Sequence, residues 1–186
     1  MKLLIASDIH GSGYYTQKLV DAYHKESPDK LLILGDLLNH GPRNPMPRDF
    51  DNPKVIELLN QLKSEIICVR GNCDSEVDDL VFEFPLTSTY TTILYEKQVL
   101  FATHGHTFNE SNPPPLNPGD VLLNGHTHIS VMEEKEAGWY YINPGSVSIP
   151  KGGTTYSYIM FEDGVFILKD LDGNEINKMT INVQGV

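Results

Sequence analysis

The chain has 186 residues, a formal net charge of −11, 40% hydrophobic and 21% charged residues, so one domain spanning 1–186 with a sizeable core is expected. The acidity argues against a nucleic-acid groove or an anionic membrane surface as the main partner. No apolar run is long enough to span a membrane, and residues 3–6, interrupted by Asp8, are too short for a signal-peptide core, so a cytoplasmic protein is expected.

Residues 2–7 read as a strand covered on both faces, running straight into Asp8-Ile9-His10-Gly11. Leu19, Val20 and Tyr23 give helical spacing over 14–25. Residues 31–34 form a second buried strand that stops at Gly35-Asp36. A carboxylate at the C-terminal end of a parallel strand lies where open α/β sheets bind ligands. Residues 39–53 carry four prolines and two arginines with little periodicity, which favours a functional loop over a linker. A short amphipathic helix follows over 54–62, with Val55, Ile56, Leu58, Leu59 and Leu62 on its apolar side. Residues 66–69 are the third buried strand, ending in Arg70-Gly71-Asn72-Cys73-Asp74. Cys68 lies inside that strand and reads as a buried free thiol, with no disulfide expected to Cys73. The alternation so far predicts a parallel sheet with right-handed crossovers.

The pattern then changes. Residues 91–95 and 99–102 flank Glu96-Lys97-Gln98 as a hairpin, and the second strand ends in Thr103-His104-Gly105-His106. A proline-rich loop over 108–119 leads to a short strand at 121–123 and to Asn124-Gly125-His126-Thr127-His128. Gly125 leaves room for another backbone to come close. In an extended segment residues two apart face the same way, so His126 and His128 are expected to aim at one point. Strands are expected over 129–133, 139–142, 156–161, 165–168 and 175–183, with Asp163-Gly164 as a turn, so the second half is β-rich and mostly antiparallel.

Five strand ends thus carry Asp8 with His10, Asp36, Asn72, His104, and His126 with His128. They offer oxygen and imidazole donors and no thiolate except Cys73. Seven such ligands exceed the needs of one tetrahedral ion and suit two ions sharing a carboxylate. Oxygen and imidazole together suit Mn²⁺, Fe or Zn²⁺.

These motifs, with Gly35-Asp36, Gly71-Asn72-Cys73-Asp74 and Gly125-His126-Thr127-His128 in that order, resemble the calcineurin-like metallophosphoesterase family. The length and Asn143-Pro144-Gly145-Ser146 are similar to its small bacterial phosphodiesterase branch. The resemblance implies an α/β fold, a four-layer α/β/β/α sandwich with two facing mixed β-sheets. It implies that Asp8, His10, Asp36 and His128 hold one divalent ion and that Asp36, Asn72, His104 and His126 hold the other, with Asp36 bridging. The activity implied is metal-dependent hydrolysis of small-molecule phosphoric diesters by a hydroxide bridging the two ions, Mn²⁺ first, with Fe or Zn²⁺ as alternatives. A phosphomonoesterase, or a non-catalytic scaffold like the retromer subunit of the same fold, are the rival readings.

The chain departs from the family pattern in two linked places. Asn39 stands in Gly35-Asp36-Leu37-Leu38-Asn39-His40-Gly41 where the family has Asp, and Cys73 stands where it has His. In the family that pair serves the leaving group, and a thiol with a pKa of about 8.5 is a poorer proton donor than an imidazolium. Asn72, Cys73 and His40 are therefore the candidate catalytic residues, with His106 a second candidate donor. The other route is a substrate whose leaving group needs no proton. Arg43 and Asn39 are the candidate substrate contacts, with Arg48 and Lys151 the further cations near the site. The proline-rich loops at 42–53 and 113–118 are candidate pocket walls or homo-oligomer contacts.

Overall fold

The structure is a computed structural model and describes residues 1–182. Its first half alternates β1 (Lys2–Ala6), α1 (Gly13–Glu26), β2 (Lys30–Ile33), α2 (Asn52–Asn60) and β3 (Ile66–Cys68). The three strands pair in parallel, in the order β1-β2-β3. The second half supplies β4 (Tyr90–Tyr95), β5 (Gln98–Thr103), β6 (Val121–Leu123), β7 (Ser130–Glu134), β8 (Tyr140–Pro144), β9 (Ser157–Glu162), β10 (Val165–Asp170) and β11 (Glu175–Thr180).

Two mixed sheets result, β11-β10-β9-β1-β2-β3 and β4-β5-β6-β8-β7. The packing of β1 explains why its sequence is apolar from Leu3 to Ala6. Leu4 and Ala6 pack under the helices with Leu19, Val20 and Leu59, while Leu3 and Ile5 face Leu100, Leu123 and Ile142 of the other sheet. Side chains alternate along a strand, so a strand covered on both faces needs apolar residues at every position. Both α-helices among the described residues pack on the first sheet. The outer face of the second sheet is closed by Leu122, Trp139 and Tyr141 with Leu116 from the proline-rich loop, so loop and aromatic side chains supply that fourth layer. No helix among the described residues is long and apolar enough to cross a membrane.

Three local features differ from expectation. Helix α2 begins at Asn52 rather than residue 54, because the Asp51 carboxylate accepts the Lys54 N–H and Pro53 sits in the first turn, where its missing N–H costs nothing. The second half is antiparallel at its margins, but its centre, β5-β6-β8, is parallel. The last strand, expected to reach Val183, ends at Thr180, and Val183 lies outside the described residues. The parallel centres matter most for the site: β1, β2 and β3 in one sheet and β5 and β6 in the other bring their C-terminal ends to one edge.

Candidate metal centre

The residues just past three of those strand ends, β1, β2 and β6, turn sharply. Asp8 (φ 57°), His10 (50°), Asp36 (57°), His126 (66°) and His128 (61°) all adopt the left-handed region. Residues other than glycine hold it only when their surroundings enforce it, and such clusters mark functional sites. Here the enforcement is visible. The Asp8 N–H donates to the Gly35 carbonyl (3.1 Å), the His10 N–H to the Asp36 carbonyl (2.9 Å), and the Gly125 N–H to the His104 carbonyl (2.8 Å). A Cβ on Gly125 would lie 1.9 Å from Ser7 Oγ and 2.7 Å from Asp8 Oδ2. Glycine at 125 therefore lets the His126 N–H reach Asp8 Oδ2 at 3.0 Å.

Side chains that carry no ligand role in the sequence reinforce the turns. The Asp74 carboxylate accepts N–H groups from Asp36 (2.8 Å), Leu37 (2.8 Å) and Gly71 (2.7 Å). Ser146 and Ser148 donate their hydroxyls to the Asp8 carbonyl, and Asn143 donates its amide to the Gly125 carbonyl. The Asn143-Pro144-Gly145-Ser146 stretch thus ties the Asp8 turn to the His126 loop. No spacing in the sequence announces the contacts to Asp36 and Leu37, because those partners are carried by another turn.

Three imidazoles are presented alike. Nδ1 of His10 lies 2.7 Å from the Asn39 carbonyl, that of His104 2.7 Å from the Leu34 carbonyl, and that of His128 2.7 Å from the Ile149 carbonyl. A carbonyl only accepts, so each Nδ1 carries a proton and, in the neutral ring, each Nε2 keeps its lone pair. Those lone pairs point inward. Asp8 Oδ1 lies 3.5 Å from His10 Nε2 and 3.3 Å from His128 Nε2, while Asp36 Oδ2 lies 3.3 Å from His104 Nε2 and 3.8 Å from His10 Nε2. Asp8 Oδ1 is buried without a hydrogen-bond partner. A buried knot of acceptors costs free energy unless a cation sits among them. Ligand atoms of Asp8, His10 and His128 lie within 4.8 Å of one another, as do those of Asp8, Asp36 and His104. The donor set fits a divalent metal of hard or intermediate character, and the Nδ1–carbonyl bonds are the outer contacts that orient such ligands.

The same geometry sets the charges. Burial pushes the Asp8 carboxyl up, but the His10 and His128 rings facing it and the nearby His104 outweigh it and hold it well below the usual carboxylate range. Asp36 is likewise lowered, burial being outweighed by its hydrogen bond to His104. Burial works against the charged form of His104, but the Asp36 and Asp8 carboxylates prevail and raise it to about 9. His10 is raised in the same way, with Asp8 overcoming burial. The carboxylates stay ionised and the site calls for positive charge.

His126 and His128 do not aim at one point. Their left-handed backbones separate them: His128 joins Asp8 and His10, whereas the His126 ring packs 5.1 Å from the His104 ring. His126 is held neutral-leaning, its pKa lowered by burial and then by His104. Asn72 Oδ1 lies 3.0 Å from His104 Nε2 and its amide donates to Cys73 Sγ at 3.2 Å. The Cys73 N–H donates to Asp36 Oδ1 at 2.8 Å. Burial pushes the Cys73 thiol up to about 12, with the Asp36 carboxylate adding to the shift.

A cleft of about 390 Å³ opens over this cluster, lined by Asp36, Asn72, Cys73, His126, His128, Arg43 and Lys151 among others. Asn39 and His40 are not part of its lining. The Asn39 side chain accepts the Gly41 N–H and its carbonyl anchors His10, so it shapes the loop. His40 packs edge-on against Phe50 at 5.3 Å. His106 is exposed, 5.5 Å from the His104 ring. Arg48 lies over the Tyr14 ring at 3.6 Å. Cys68 and Cys73 are both free.

Two facing sheets whose parallel strand ends converge on buried histidines and carboxylates define a metallophosphoesterase. Residues 1–163 match the family profile described as "Calcineurin-like phosphoesterase superfamily domain", and the chain belongs to that family. It is 48% identical over 176 residues, 95% of each chain, to "Phosphodiesterase YfcE" of Escherichia coli K12. It is also similar to the solved structure of Yfce, "a phosphoesterase from E. coli", with a TM-score of 0.94, 48% identity, and coverage of 98% of this chain and 100% of that one. Vps29 from Entamoeba histolytica, solved "complexed with Zn+2", shares the fold at 18% identity, with a TM-score of 0.65 and coverage of 98% of this chain and 100% of that one.

Proposed function

We propose that this protein hydrolyses phosphoric diesters of small molecules with two divalent ions, Mn²⁺ first, with Fe or Zn²⁺ as alternatives. Asp8, His10, Asp36 and His128 hold one ion; Asp36, Asn72, His104 and His126 hold the other. The observation that carries this is the inward knot of acceptors, in which His10, His104 and His128 each spend Nδ1 on a backbone carbonyl and turn Nε2 toward a carboxylate. A diester substrate is supported by the E. coli relative named a phosphodiesterase.

When bound, divalent ions lower the pKa of water toward neutrality and offset phosphoryl charge. The chain's own residues do the rest. Asp36 contributes through both oxygens, one on the Cys73 N–H and one facing His104 and His10. Arg43 and Lys151 line the cleft as cations suited to non-bridging phosphoryl oxygens, and Asn72 and Cys73 sit beside the transferring group. The buried strap of Ser146, Ser148 and Ile149 fixes the Asp8 turn and the His128 ring, so little reorganisation is needed at the moment of reaction.

The test is a chelated sample reconstituted with Mn²⁺, Mg²⁺ or Zn²⁺ and offered diesters and monoesters of one phenol. Turnover restored by Mn²⁺, with diesters ahead of monoesters, is expected. Full turnover in chelator, or monoesters ahead of diesters, would overturn the proposal.

A further inference from the structure

The metal cleft has a neighbour. A second pocket of about 290 Å³ is lined by Tyr15, Met46, Arg48, Ile149, Pro150 and Tyr156 among others. The two share their walls. Asn44 and Lys151 line the metal cleft, while the adjoining Pro45 and Pro150 line the second pocket. The Lys151 ammonium donates to Asn44 Oδ1 at 2.8 Å, a clasp at the joint between them. The common wall also carries Ile149, whose carbonyl orients His128.

The pocket's lining mixes aromatic and aliphatic side chains with the polar Arg48 and Ser148, and its aromatic rings are already stacked. Tyr15 and Tyr156 stack at 4.2 Å with their rings 17° apart. Arg48 is held against the neighbouring Tyr14 ring at 3.6 Å. Met46 and Tyr156 are 64% and 37% exposed, so their apolar surface is open to a ligand. Aromatic faces, a thioether and proline rings suit a planar arene, and a surface that is already stacked loses little entropy on binding one.

We propose that this pocket is a specificity subsite that takes a planar aromatic group on the non-leaving arm of the diester, while the phosphoryl group lies over the metal cleft. The proposal rests on the diesterase reading of the same site. It adds a substrate class, diesters with one aromatic arm, and gives Tyr156 and Met46 the role of selecting it.

The test holds the leaving group constant. The Mn²⁺-loaded protein is given nitrophenyl phosphates whose other arm is methyl or naphthylmethyl, and KM and kcat are read for each. In parallel, calorimetry reads binding of the methyl and naphthylmethyl esters of methylphosphonic acid, which mimic a diester and carry poor leaving groups. The naphthylmethyl arm should be favoured by about tenfold, in KM rather than kcat, the scale of one well-packed aromatic contact. Tyr156→Ala and, separately, Met46→Ala should bring that ratio to within about twofold, and Tyr156→Phe should keep it. No preference in the unaltered protein, or a preference that survives both alanine variants, would overturn the subsite. Silence of both nitrophenyl esters alongside an intact binding preference would instead sink the diesterase reading and leave the subsite standing.

Discussion

Nε2 of His10 and Nε2 of His128 stand 3.2 Å apart, with their rings stacked at 4.9 Å and 30°. Each ring has committed its Nδ1 proton to a backbone carbonyl, and both residues are buried. Two buried lone pairs at that distance repel. A proton on one ring relieves that repulsion in the absence of metal, a divalent cation between the two nitrogens relieves it in the neutral rings, and the orphaned Asp8 Oδ1 beside them offers the cation a third ligand.

Metal should therefore stabilise the fold. Free Mn²⁺ at 100 times its dissociation constant contributes about 2.7 kcal/mol. For a chain of this size that raises Tm by about 5–10 °C. The comparison is thermal unfolding in chelator and in Mn²⁺, for the unaltered protein and for His128→Asn. A Tm that ignores Mn²⁺ would refute the metal assignment.

Without metal, stability should fall as pH rises from 6.5 to about 9. His104 has its folded pKa raised to about 9 from the ordinary 6.5. A base raised in this way stabilises the fold fully below 6.5 and loses that contribution as pH climbs through its folded value. Asp8 and Asp36 are lowered, so their contribution is present above the ordinary carboxylate range and is lost as pH falls through their folded values. Metal needs the unprotonated rings, so its affinity should rise across the same upper window. Denaturant midpoints against pH in chelator test this, with His104→Asn expected to flatten the slope. A flat profile between pH 6.5 and 9 in the unaltered protein is the contrary result.

Asp36→Asn should cost more activity than Asn72→Ala or Arg43→Ala. Asp36 Oδ2 faces both His104 and His10, whereas Asn72 touches one histidine and Arg43 only lines the cleft. A loss of about a hundredfold or more is expected, since changes one step further from a metal already cost about 10–100-fold. Metal content measured beside kcat decides it: near-normal turnover with two ions bound would remove the shared role from Asp36.

Asp74→Ala should destabilise the protein even in chelator. It strands the buried N–H groups of Asp36, Leu37 and Gly71, at a cost of about 3 kcal/mol, the upper end for unpaired buried donors. Chemical unfolding in chelator separates this from any loss of metal, and an unchanged midpoint would show that water replaces the carboxylate.

The strand ends are legible in the sequence because each apolar run stops on a residue that apolar strands exclude, as Leu34-Gly35-Asp36 does. Asp74 is not legible, because two of its three N–H partners, Asp36 and Leu37, come from a turn that meets its own only through the parallel pairing of β2 and β3. The split of His126 from His128 is hidden for another reason. Two-residue alternation holds only in extended backbone, and both residues are left-handed. The parallel β5-β6 pair is masked as well, since residues 104–120 carry the chain between the two strands without the helix that usually signals a crossover.

The final prediction concerns the leaving group. Cys73 lines the cleft beside Asp36, and burial with that carboxylate pushes its thiol to about 12. A donor held that far up is a weak general acid at neutral pH, because proton donation works best when the pKa lies near the operating pH. Asn39, which stands where the family has an acid, has its side chain on the Gly41 N–H and does not line the cleft. Aryl diesters, whose phenolate departs without help, should therefore turn over faster than alkyl diesters by roughly 10²–10⁴-fold, the usual worth of general acid catalysis. Cys73→His, better with Asn39→Asp to orient it, should narrow the gap by speeding alkyl substrates more than aryl ones. The quantity to follow is the ratio of kcat/KM for an aryl and an alkyl diester, with metal content held equal. If the ratio does not move, a proton is already being delivered from elsewhere. His106, exposed and 5.5 Å from the His104 ring, is then the first residue to replace by Gln.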